Sequence, residues 1–271
     1  MKTDSDFVGW PSLDNVEDSG PIWRADCDSA LIGHGACGLY SAIGDVNVKA
    51  ALKSAETMQS RGTFGAGVML KGVYPHRADY YAFHVLYRNR EVAKSLEQRL
   101  FFEERIGMRH FGEMEPLVKP EAYRKYDLPE MRRYFMSVPT KDEMMRNAHT
   151  SDEYQYVRRI VEKFNSKYDR DARIFSSGKN VGTFITAREL NDTIEIFDLY
   201  KYANQPITAF MAHMRWPTSI VSSGVWWGAH PISFLNSSII HNGDLSSSAS
   251  NAQGLEAAFV KRSVGTDSEA M

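Results

Sequence analysis

The chain has 271 residues, 43% hydrophobic and 24% charged, with a formal net charge of −2. That is enough chain to bury a sizeable core, as one large domain or two small ones. The near-neutral charge gives no general attraction to nucleic acid or anionic membranes. No apolar run approaches the roughly 20 residues needed to span a bilayer, and Met1 to Trp10 lacks a basic-then-apolar signal segment. Two cysteines, Cys27 and Cys37, argue against a disulfide scaffold and fit a reducing cytoplasm. Together with His34 they have no recognisable zinc spacing, and no metal is expected.

Residues 1–36 carry Pro11, Pro21, several aspartates and Gly33-His34-Gly35-Ala36 without a sustained period, which reads as an extended leader. A strand is expected from Cys37 to Ile43. A helix follows at about 47–60, with Val48, Ala51, Leu52, Ala55 and Met58 as its apolar stripe and Asp45 or Asn47 as cap. The glycine-rich run Arg61 to Gly67 feeds the apolar run Val68 to Tyr74. It precedes a strand, so it is a poor phosphate loop, which would follow a strand and open a helix.

From about 88 to 170 charge is dense and helical periods dominate, with Val92, Leu96 and Leu100 on one helix and Tyr154, Val157, Val161 and Phe164 on another. Thr150 and Glu153 are spaced as a capping box for the second. This stretch reads as a helical insertion. Acidic residues interleaved with Arg132-Arg133 and Arg158-Arg159 make it a solvated surface rather than an RNA patch. Short segments return at Ile174-Phe175, at Val181 to Thr186 and in a helix around 192–200.

The stretch Ile207 to Asp244 holds three of the eight histidines and three of the five tryptophans. If Ile207 to Trp216 is a strand, Met211, His213 and Arg215 share a face. Ser237 to Ile240 reads as a short strand ending in His241-Asn242-Gly243-Asp244, which by itself signals only a hairpin turn. The same residues also suit an acyl-transfer site, which needs a nucleophile, a base, an oxyanion hole and substrate-orienting groups. Cys37 is the candidate nucleophile. Cleavage before it would leave an α-amine on the thiol-bearing residue, with an unperturbed pKa near ~7.7–8.0, suited to a base. Asn242 and the Gly243 N–H would donate to an oxyanion. Arg215 could clamp a carboxylate and Asp267 an ammonium. Glutamine carries both groups and a side-chain amide.

Cys37-Gly38, Arg61-Gly62 with Gly65-Ala66-Gly67, His213 to Thr218, His230-Pro231, His241-Asn242-Gly243 and Thr266 to Glu269 occur in the order seen in class II glutamine amidotransferases. From about residue 30 onward the chain resembles that N-terminal-nucleophile family. It looks most like the amidotransferase subunit or domain of archaeal-type glutamate synthases. The resemblance implies an α+β fold, a four-layer αββα sandwich carrying the helical insertion. It implies a domain from 37 to 271 that hydrolyses glutamine through a Cys37 thioester. By position, Asn242 and Gly243 match the oxyanion hole, Arg215 with Thr218 the carboxylate clamp, and Asp267 the group that holds the α-amine. His213 and His230 match positions near the pocket, as direct contacts or as structural residues. No cofactor is implied in this chain; FMN and iron–sulfur clusters would belong to the synthase partner receiving the ammonia.

Two departures shape the expectation. The leader 1–36 has to be removed before Cys37 can supply an α-amine, and the family's sandwich continues well past Asp267, so a C-terminally truncated sandwich is expected. Two alternatives stay open: a non-catalytic, unprocessed or truncated amidotransferase-like module that binds a synthase, and an N-terminal-nucleophile amidohydrolase for another amide.

Overall fold

The computed structural model describes residues 36–98, 107–110, 115–168, 170–216, 229–257, 267, 268 and 271. The leader (apart from Ala36), Cys27, His34, Thr218, Trp226 and Trp227 lie outside the described residues. The fold is mixed α and β, with every strand pair antiparallel.

The first sheet has four strands: β1 (Gly38–Ile43), β2 (Ala66–Lys71), β8 (Val181–Thr186) and β9 (Ala209–Met214), in the order β1-β9-β2-β8. On it pack α1 (Val48–Glu56) and α6 (Leu190–Phe197). Asn47 caps α1 by accepting the Ala50 N–H at 3.0 Å, and the expected stripe of Val48, Ala51, Leu52 and Ala55 is buried. These side chains share one apolar cluster with Val68, Leu70, Phe184, Phe210 and Ala212 of the sheet. β8 is buried at all six positions, consistent with its unbroken run of apolar and small residues.

The second sheet runs β4 (Arg109–His110), β6 (Glu130–Ser137), β3 (Tyr81–Tyr87) and β7 (Ala172–Ser176), with β5 (Glu115–Pro116) also on β6. Its faces divide with the two-residue period of a strand. Phe83, Val85, Tyr87, Tyr134 and Met136 join one core. That core is closed by α2 (Arg90–Glu97), α4 (Lys141–Ala148) and α5 (Glu153–Tyr168). Ala82, Leu86, Met131 and Phe135 point the other way, into the core of the first sheet. A short helix, α3 (Pro120–Tyr126), adds Ala122 and Tyr126 to that same core.

The reading of 88–170 as a helical insertion accounts for α2 to α5 but misses β6, the strand to which β3, β4 and β5 all pair. Its sequence, EMRRYFMS, hides the alternation because Arg132 and Arg133 stand side by side. Arg132 meets Glu97 and Glu130, while Arg133 is 4% exposed among tyrosines. The capping box also lies elsewhere. It is Thr140 with Glu143, at α4, whereas α5 is capped by Asp152, which accepts the Gln155 N–H at 2.8 Å.

The last described elements are the hairpin β10 (Ile232–Phe234) and β11 (Ser237–Ile239), then α7 (Ser248–Ala257). The hairpin turns at Leu235-Asn236, with Leu235 at φ 52°. His241 to Asp244 follows β11 and is not its turn, so the plain hairpin reading of that motif is corrected.

Phe184 joins the two layers, its ring 5.3 Å from that of His84 and 5.6 Å from that of Tyr202. It is fully buried. Phe184→Ala is expected to cost ~3–5 kcal/mol, read as a lower urea midpoint with an unchanged slope.

Candidate active site

The pairing Gly38↔Met214 sets the site. It brings Cys37, just before β1, beside Arg215 and Trp216, just after β9. The Trp216 N–H points at the Cys37 sulfur at 3.3 Å, and the thiol reaches the Trp216 carbonyl at 3.4 Å. β9 also pairs with β2 through Met214↔Ala66, and the Arg215 N–H donates to Gly65 O at 2.8 Å. Arg215 therefore stands one residue beyond the strand that carries Met211 and His213.

The glycine-rich run is shaped by close backbone approach. A Cβ on Gly62 would lie 2.4 Å from Met214 O, and one on Gly67 would lie 2.2 Å from His230 O. Only glycine lets this loop press against both segments at once. At its head, Arg61 donates from Nε to the Cys37 carbonyl at 3.3 Å. Sequence reasoning placed Arg61 in a loop motif and gave it no role at the site. Its signal was a cation at the edge of a glycine run. Trp216 touches the thiol through its backbone, while its ring meets Phe64 edge-on at 5.3 Å.

The remaining residues arrive from the C-terminal part. Asn242 donates from Nδ2 to the Cys37 carbonyl at 3.2 Å, sharing that oxygen with Arg61. Gly243 is at φ 141°, and among the described residues, its chain neighbours aside, the heavy atom nearest to an added Cβ is Nε2 of His241 at 3.6 Å. His213 is buried, and its Nε2 faces His241 O at 3.1 Å. A carbonyl only accepts, so this nitrogen carries the hydrogen. The ring of His230 lies 4.4 Å from that of His213. Among the described residues, Nδ1 of His213 and both nitrogens of His230 have no hydrogen-bond partner.

Asp267 is held by its neighbours. Its carboxylate accepts the Leu245 N–H at 2.8 Å, the Ser268 N–H at 2.8 Å and the Ser268 hydroxyl at 3.2 Å. Nδ1 of His241 lies 3.0 Å from that hydroxyl and 3.8 Å from Asp267. Thus Cys37, Asn242, Arg215, His213, His230 and Asp267 converge, with Gly243 beside Asn242. Thr218 lies outside the described residues.

The electrostatics separate the groups. Burial pushes the Cys37 thiol up, with Asp267 adding to the rise, while the Trp216 N–H and the charge of Arg215 oppose it. Burial also works against the Asp267 charge, but the Leu245 and Ser268 donors outweigh it and hold the carboxyl below its usual value. Burial lowers His213 to about 4 and His230 to about 3, helped by the positive charge of Arg215. The site holds the cations Arg215 and Arg61 and the anion Asp267 around the neutral imidazoles of His213 and His230 and a neutral thiol. Among the described residues, no group of three or more His, Cys, Asp or Glu is arranged to hold a metal, and no helix is long and apolar enough to cross a membrane.

No protein-family model matches the chain. It is 31% identical over 248 residues, 88% of its length, to a protein of Archaeoglobus fulgidus named only as an uncharacterized protein. The chain spans 61% of that relative's length.

The neutral histidines have a consequence for stability. An unfolded histidine titrates near ~6.5, above the folded values of about 4 and about 3. Between those limits the unfolded chain binds more protons. Stability therefore rises with pH across that window and is lost as pH falls from about 6.5 towards 4. Urea midpoints measured through this range should fall on acidification, and His230→Gln, which cannot take the proton, should show a shallower decline.

Proposed function

We propose that this chain is a glutaminase of the N-terminal-nucleophile type, the amidotransferase part of an ammonia-delivering synthase. The observation that carries the reading is the gathering of Cys37, Arg215, Asn242 and Asp267 at one end of the first sheet. They come from positions as far apart as 37 and 267, and Asn242 bonds directly to the backbone of Cys37.

In this reading Arg215 holds the α-carboxylate of glutamine and Asp267 its α-ammonium. The opposite charges fix the orientation of the substrate and leave its side-chain amide to the thiol. Once Cys37 is the first residue, its α-amine takes the thiol proton, and the sulfur attacks the amide carbon. The tetrahedral oxygen is received by the Gly243 N–H and the second hydrogen of the Asn242 amide, the first being engaged by Cys37 O. Arg61 and Asn242 pin that carbonyl and so hold the nucleophile in place. On collapse the amide nitrogen takes the proton held by the α-amine and leaves as ammonia, and water then hydrolyses the thioester, giving glutamate and restoring the thiol. Released ammonia would protonate in water, so a docked partner with a dry passage is the expected destination, most simply a synthase that makes glutamate.

Two antiparallel sheets, each with its own helices, are in keeping with a four-layer αββα arrangement. A second reading has one observation in its favour. With Ala36 attached, the Cys37 nitrogen is an amide and cannot act as a base, and burial keeps the thiol neutral. An uncleaved chain would then only bind the synthase.

Intact mass and a glutamine-hydrolysis assay separate the readings. A species beginning at Cys37 that releases ammonia supports the enzyme, whereas an uncleaved, inactive chain supports the binding module. In the cleaved protein, Cys37→Ala should abolish ammonia release without shifting the urea midpoint. Asn242→Ala should lower turnover by ~100-fold or more, the cost of one lost oxyanion donor.

A further inference from the structure

The carboxylate assigned to the substrate's ammonium also closes the loop that carries the two oxyanion donors. That loop runs from His241 to Leu245, and Asp267 holds both of its ends. At the far end the Leu245 N–H donates to Oδ2 of Asp267 at 2.8 Å. At the near end the link passes through Ser268, which is 2% exposed. The Ser268 N–H and hydroxyl both donate to Oδ1 of Asp267, at 2.8 Å and 3.2 Å. Nδ1 of His241 lies 3.0 Å from the same hydroxyl oxygen.

An ionised carboxylate only accepts, so it sets the direction of this chain of bonds. With its one hydrogen turned to Asp267, the Ser268 hydroxyl has only lone pairs to offer His241, and Nδ1 of His241 is then the donor. The His241 carbonyl is fixed separately by Nε2 of the buried His213 at 3.1 Å. The imidazole spans the loop, because its Nε2 comes within 3.6 Å of where a Cβ on Gly243 would stand. Between the two anchored ends, Asn242 donates to Cys37 O at 3.2 Å. A carboxylate offers about four lone-pair positions, and the Leu245 and Ser268 donors engage three of them.

On the glutaminase reading, on which this rests, we propose that His241 and Ser268 are positioning residues that couple recognition of the α-ammonium at Asp267 to the placing of the Asn242 and Gly243 donors. An ammonium accepted beside the three existing donors fixes the carboxylate. Through Ser268 and Leu245 it then fixes both ends of the loop. Bonds to a charged group are the strong ones in such a chain, and oxyanion donors act only if they are in place before the charge develops. The α-amine of the substrate therefore serves turnover as well as binding. The site favours amides of free α-amino acids over amides that lack the amine, and it does so in kcat.

Ammonia release by the cleaved full chain is compared for glutamine and for glutaramate, which is glutamine without its α-amine. The wild type should show a lower kcat for glutaramate, besides a higher KM. Ser268→Ala and, at the more exposed end of the chain of bonds, His241→Ala should each lower kcat for glutamine about tenfold. Each should leave kcat for glutaramate nearly unchanged, so the preference shrinks by the same factor. Ser268→Thr keeps the hydroxyl and His241→Asn keeps an N–H near the place of Nδ1, so both should retain most of the preference. Hydrogen exchange in the Cys37→Ala background, where glutamine is not consumed, gives a readout free of turnover. Glutamine should slow exchange of the amides from Asn242 to Leu245, and adding Ser268→Ala or His241→Ala should remove that protection. Equal losses of kcat on both substrates, or protection by glutamine that both alanine variants leave intact, would overturn the coupling while wild-type hydrolysis keeps the glutaminase reading standing. A cleaved wild-type chain that releases no ammonia from glutamine overturns that reading, and the coupling with it.

Discussion

The register of β1 on β9 is the constraint on which the candidate site depends. Met214 is paired on one side with Gly38 and on the other with Ala66, so three strands end at one level. Cys37, Arg215 and Gly65 therefore emerge side by side. A slip of one residue would turn His213 to the opposite face, away from His230 and from the carbonyl of His241. The alternation of β9 specifies the register, since Phe210, Ala212 and Met214 have to enter the core.

Around that end the chemistry is set by what is left uncharged. Three nitrogens on His213 and His230 that lack a partner among the described residues sit among buried atoms, where an imidazolium would lose its hydration and face Arg215. They stay neutral, while Arg215, Arg61 and the anion of Asp267 carry the local charge. Asp267 keeps its charge because backbone and hydroxyl donors replace the water it loses. The neutral thiol is the other side of the same balance. Desolvation outweighs the help of Arg215, so a proton acceptor on Cys37 itself is what the proposed chemistry requires.

The second sheet bears on the first through a small polar chain embedded in aromatics. Arg133, Tyr74, His84 and Thr183 run from β6 through the loop after β2 to β3 and β8. This chain satisfies buried groups that would otherwise be costly, and it ties the stretch once read as a helical insertion to the sheet that carries the site. Elsewhere in that layer, Tyr87, Tyr134, Glu97 and Arg132 form a comparable network beneath α2.

Much of the local structure was legible in residue order alone. The Val48 to Ala55 stripe, the run Val181 to Thr186 and the alternation of β9 each carry their own period, and Asn47 announces the start of α1. The candidate site residues were legible as types in an order, because cysteine, arginine, asparagine-glycine and aspartate are few and chemically distinct. What the sequence could not determine is who meets whom. β6 was hidden because adjacent arginines broke its alternation, and only packing showed one on a carboxylate and the other among tyrosines. Arg61 gained its place from a bond to a backbone oxygen, which no side-chain pattern records. The site itself is a product of tertiary structure: antiparallel register and close glycine contacts bring residues 37, 215, 242 and 267 together, and distance along the chain carries no trace of it.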